Sequence, residues 1–90
     1  MARFEVLDGD AAPLGEGSAA ADMLFALGMM YSIGREDVAI DLISAHKWFN
    51  LAAAKGNAEA TRLRREIADQ MSEMEIAAAQ RAARDWLRAH

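Results

Sequence analysis

Cysteine is absent from this chain, which removes disulfide staples, thiolate zinc sites and a cysteine nucleophile together. Proline occurs once, at Pro13, so nothing beyond the first residues interrupts a helix by that route. Only two histidines are present, His46 and His90, and without cysteine a zinc site would draw on scattered carboxylates with no metal-ligand spacing. We expect His46 to lie on a helix surface. No window reaches the roughly 18 uncharged apolar residues of a membrane span. The opening "MARFEVLDGD" carries acids where a signal peptide needs an apolar core, so the expectation is a cytoplasmic chain with no membrane association.

The remaining composition is apolar and unbroken, 53% hydrophobic over 90 residues, which suits a mostly helical single domain. A chain this short buries only about 60% of the surface it exposes when unfolded, so every apolar helix face matters. The net charge of -4 argues against nucleic acid and anionic membranes, and its distribution is uneven. Residues 1–56 hold four basic and eight acidic side chains, whereas residues 57–90 hold six of each.

Residues 1–17 read as an extended arm: Phe4 and Val6 alternate with Arg3 and Glu5, followed by Asp8-Gly9-Asp10, Pro13, Gly15 and Gly17. Leu7 and Leu14 add apolar surface with which such an arm could dock. Ser18 is placed to cap a first helix, A, from Ala19 to Ile33, closed by Gly34. Within it "MLFALGMMY", Met23 to Tyr31, passes nine residues without a charged or amide side chain, so the helix is apolar all round.

Asp41 can cap helix B, "LISAHKWFNLAAA", which ends at Lys55-Gly56. Asn57 then restarts the chain as the cap of helix C, with Glu59 suited to its first turn. Helix C aligns Ala60, Leu63, Ile67, Met71 and Met74 at helical spacing, opposite Arg62, Arg65, Glu66 and Asp69. Ser72 followed three residues later by Glu75 has the pattern of a capping box and would begin helix D; one long bent helix is the alternative. Helix D would dock through Ile76, Ala79, Ala83, Trp86 and Leu87. The expected fold is all-α: four helices in antiparallel hairpins, a short α/α solenoid preceded by an extended arm.

In helix B the residues Ala45, Trp48, Phe49, Ala52 and Ala53 fall at spacings of three and four, small side chains above and below large rings. The alanines let a neighbouring helix approach, the rings fill the wider gaps, and Gly28 supplies a matching notch in helix A. The order Leu27-Gly28-x-x-Tyr31-x-x-Gly34, then Val38, Asp41, Ala45, Trp48, Ala52-Ala53 and Gly56-Asn57-Ala58-Glu59-Ala60, resembles a Sel-one-like repeat, a relative of the tetratricopeptide repeat. The resemblance implies antiparallel helix pairs that stack into a superhelix and act as scaffolds for protein complexes. The loop "GREDVAID" lacks the second glycine and the proline usual there, and "RLRREIADQM" replaces a second Leu-Gly-x-x-Tyr core. We therefore divide the chain into an arm (1–17), a Sel-one-like helix pair (18–56) and capping helices (57–90).

No pattern points to catalysis or to a cofactor. "GDAAPLGEGS" lacks the Lys-Ser/Thr ending of a phosphate loop, and Asp8-Gly9-Asp10 lacks the later ligands of a calcium loop. Glu36 with Asp37, and Glu73 with Glu75, stand where loops and caps put acids. Arg62, Arg64, Arg65, Arg81, Arg84 and Arg88 could form a nucleic-acid face, but Glu59, Glu66, Asp69 and Asp85 sit one turn away and no exposed aromatics interleave with them. One repeat and a cap leave helix A with surplus apolar surface: helix B would cover one side, helices C and D a second, and the arm or another molecule the rest. Met23, Met29 and Met30 are the candidate contact residues, either core filling or a flexible surface for a partner. The sequence thus predicts a non-enzymatic adaptor that holds another protein on helix A, with self-association through helix A as the alternative.

Overall fold

The computed structural model describes residues 16–90, with side chains from Ala19 onward; the expected arm therefore lies outside the described residues, apart from its last two positions. Four helices follow in order: α1 (Glu16–Ile33), α2 (Leu42–Ala54), α3 (Ala58–Ala68) and α4 (Glu73–Ala89). Among the described residues there is no strand, only one isolated bridge between Arg35 and Val38, so the chain is all-α.

The helix ends follow local chemistry. Helix α1 closes at Gly34, whose φ of 80° is the left-handed conformation that costs a side chain least when that side chain is a hydrogen. The Gly34 amide donates to Met30 O at 2.9 Å, capping a carbonyl the helix would leave bare. The loop then turns on two main-chain bonds between Arg35 and Val38, and the Asp41 amide donates to Tyr31 O at 2.9 Å, tying the start of α2 to the end of α1. Asp41 caps α2: its carboxylate accepts from the Ser44 amide at 3.1 Å and the Ser44 hydroxyl at 2.8 Å.

Helix α2 ends in a Schellman arrangement, with the Gly56 amide donating to Ala53 O and the Asn57 amide to Ala52 O, each at 3.0 Å. Asn57 also opens α3, its side-chain oxygen accepting from the Ala60 amide at 2.9 Å. One residue therefore closes one helix and begins the next, which keeps the α2–α3 turn short. The chain does break near Met71: Ser72 and Glu75 form both arms of a capping box, so α3 and α4 are separate helices and not one bent rod.

One expected boundary moves. Helix α1 begins at Glu16, so Gly17 and Ser18 lie inside it and Ser18 is not its cap. An apolar helix whose burial supplies its stability extends past a local start signal when its backbone continues to bond.

The larger correction concerns the centre of the fold. Helices α1, α3 and α4 each pack mainly on α2. Helix α1 was expected to be covered on two sides; α2 covers one side, and α3 and α4 lie against α2 instead. Among the described side chains of α1 only the stripe Ala21, Leu24 and Gly28 is buried, while Met23 is 70% and Ile33 63% exposed. Helix α2 is consequently enclosed on two faces. Ala45, Phe49 and Ala52 are completely buried, and Leu51 and His46 nearly so. The core joins Ala45, Phe49, Leu51 and Ala52 to Leu24, Ala60, Ile67 and Ala83, with Leu63, Met71 and Trp86 packed around them.

The α1–α2 contact has the predicted form. A Cβ placed on Gly28 would stand 2.5 Å from the Cδ1 and Cε1 atoms of Phe49, so the glycine is the notch that the Phe49 ring fills. Phe25 meets the same ring at 5.5 Å between centroids, tilted by 53°. Across α2, Trp48 meets Trp86 of α4 edge to face at 5.7 Å, and Trp86 stacks on the His90 imidazole at 4.5 Å.

Two apolar positions fall outside the core against expectation. Met74 is 82% exposed, because the break at Ser72 puts it in the first turn of α4 and off the α3 face. Leu87 is 51% exposed, because α4 docks through the narrow stripe of Ala79 and Ala83 and turns Leu87 to the rim.

Candidate interaction surface

Helix α1 carries the three methionines to which a partner role was assigned, and the fold separates them. Met23 projects into solvent, Met30 is half-buried, and Met29 packs against the core. Among the described side chains, the exposed positions of α1 are Ala19, Asp22, Met23, Ala26 and Ile33 rather than a continuous methionine stripe. Among the described helices α1 packs mainly on α2, and a helix that is apolar all round and held on one side leaves its other apolar residues in water.

The signature residues are mostly structural supports. Gly28, Ala45, Ala52 and Ala60 are buried at the helix contacts, whereas Leu27, Tyr31, Trp48 and Ala53 are half-buried around them. Gly34, Asp41 and Gly56 shape helix ends, Gly56 with a φ of 108° and no atom near the space its side chain would take.

Among the described residues the surface includes two grooves. The first, about 680 Å³, lies between the α1–α2 loop and the α3–α4 turn. Its apolar lining includes Tyr31, Leu42 and Ile40, the last 61% exposed, and its carboxylates are Asp37, Asp41 and Glu75; among the described residues no basic side chain lines it. The second, about 390 Å³, lies between α2 and α4, with Asn50, Leu51 and Ala54 facing Ala83, Arg84 and Leu87. Both grooves were missed in the sequence, because each is built from elements far apart in the chain.

His46 is the clearest departure from expectation. It is 4% exposed, and its Nδ1 has no hydrogen-bond partner among the described residues. Burial, with a smaller contribution from the nearby Arg64 cation, holds its pKa below the ordinary histidine value, so the ring is neutral at pH 7. It was assigned to a helix surface on the assumption that α2 has one inward face. Helix α2 has two, and Arg64 of α3 reaches the second, donating to Asn50 Oδ1 at 2.7 Å.

Two of the arginines are engaged by acids on their own helices. Arg62 is held by Glu59 and, at 2.6 Å, by Glu66; Arg88 pairs with Asp85 at 3.0 Å. The Arg62 hydrogen bond lowers the pKa of Glu59, and Arg62 is correspondingly raised. Among the described residues no cluster of histidine and carboxylate groups could hold a metal ion, and no helix is long and apolar enough to cross a membrane. No family model, curated protein or solved structure matches the chain.

Proposed function

We propose that this chain is a non-catalytic, cytoplasmic adaptor that holds an apolar peptide or helix of another protein on α1, in the manner of the Sel-one-like repeats its spacing resembles. The observation that carries this reading is the one-sided packing of α1: Met23 and Ile33 stay exposed on a helix whose apolar residues run around its whole circumference. Exposed apolar area of this kind is removed from water most readily by a second polypeptide, and a thioether adapts to irregular surfaces. Nucleic-acid binding is the less favoured reading, because Arg62 and Arg88 are engaged by acids on their own helices.

The test is capture from native lysate with the immobilised protein and its Met23→Glu variant. Because Met23 is largely exposed, the variant retains its helical circular dichroism. Loss of the captured protein in the variant supports the adaptor, whereas equal capture by both excludes α1 as the site. Self-association through α1 is the alternative reading of the same face, and sedimentation decides it: a dimer abolished by Met23→Glu would replace the foreign partner with a second copy.

A further inference from the structure

The groove at the loop end of the molecule has an apolar floor and an acidic rim. Asp41 and Glu75 are partly engaged in capping α2 and α4, so Asp37 on the loop, with exposed Glu36 beside it, supplies much of the free negative charge. A complementary occupant is a ridge that presents an apolar side chain between cations. The opening segment of the chain does not fit on charge, having Arg3 against Glu5, Asp8 and Asp10.

The C-terminal half of α4 does fit. Arg81, Arg84 and Arg88 recur at spacings of three and four, so they form one exposed stripe, and Leu87 stands half out of the surface beside Arg84 and Arg88. Asp85 neutralises part of Arg88 only. The stripe is basic and the groove rim acidic, so their charges are opposite.

One molecule cannot bring the two together. Glu75 lines the groove from the first turn of α4, and Arg84 and Arg88 lie nine and thirteen residues further along the same rigid helix, roughly 13 and 20 Å away at 1.5 Å per residue. We infer that the α4 ridge of one copy seats in the loop groove of the next, with Leu87 against Ile40 and the arginines against Asp37 and Glu75. This is a heterologous contact: a joined pair keeps one free groove and one free ridge, so it propagates into open rows or closed rings of molecules. It uses neither Met23 nor Met30 and therefore stands or falls apart from the adaptor reading.

Sedimentation at low and high salt tests the inference, with the intact protein and two variants. Ile40→Glu spoils the groove, and Arg84→Glu with Arg88→Glu spoils the ridge; all these positions are exposed, and circular dichroism checks that each variant is folded. The wild type should gain average mass with concentration, more so at low salt, where the charged rim is least screened. Each variant alone should stay at the 9.8 kDa of one chain. An equimolar mixture of the two should form a one-to-one pair, a twofold rise in mass, since one variant retains the ridge and the other the groove. A wild type that stays monomeric at every concentration overturns the inference. So does association that persists in both variants alone, or a mixture that remains monomeric.

Discussion

The two faces of α2 solve the same packing problem by different means. Toward α1 the contact is apolar and aromatic, with Phe49 in the Gly28 notch and Phe25 against its ring. Toward α3 and α4 it is built from alanines and half-buried rings and includes polar groups: His46 with an unpartnered nitrogen, and the Arg64–Asn50 hydrogen bond. The first face gains from shape, and small volume changes there should be costly. The second tolerates polarity because its helices touch α2 along narrow stripes, and it should make stability depend on pH.

The strongest challenge to this contrast is Phe49→Ala. Phe49 is completely buried, and its loss should destabilise the fold by about 3–5 kcal/mol, read from urea unfolding. A cost near that of an exposed ring would mean the α1 face is loosely packed.

Gly28→Ala follows. In an exposed helix this change would stabilise by roughly 1 kcal/mol. Here the new methyl group overlaps the Phe49 ring, and the overpacking should reverse the sign, with a net loss of about 1–2 kcal/mol by thermal or urea unfolding. A stabilised variant would show that the ring moves aside freely.

The smallest effect belongs to the polar face. The folded state holds the His46 pKa below that of the unfolded chain, so between those two values the unfolded state binds more protons. Stability is therefore fully present above the ordinary histidine pKa of about 6.5 and is lost as pH falls below it. Unfolding midpoints should drop between pH 7.5 and 5.5, and His46→Leu should flatten that dependence. Arg64→Ala should weaken it less, because burial is the larger cause of the shift. An unchanged slope in His46→Leu would assign the pH dependence to other groups.

What could be read in advance divides along the same line. Asp41, Asn57, the Ser72–Glu75 box, Gly34 and Gly56 each act on residues a few positions away, so their roles were visible as short patterns. The Gly28–Phe49 fit was also foreseeable, since a glycine in mid-helix asks for a large neighbour. His46, Leu51 and Leu87 were not, because periodicity shows that a helix has an apolar stripe but not how many neighbours surround it. Helix α1 misled in the opposite direction. Its unbroken apolar run promised enclosure, yet among the described helices α2 is its main packing partner.

The residues by themselves determined that this chain is all-α, where three of its four helices begin, and where α1 and α2 end, because capping and backbone preference operate within a single turn. Only the tertiary structure decided that α2 is the centre, that His46 is buried, and that Met23 and Ile40 remain exposed. Burial is a property of which surfaces meet, and that depends on all the helices at once.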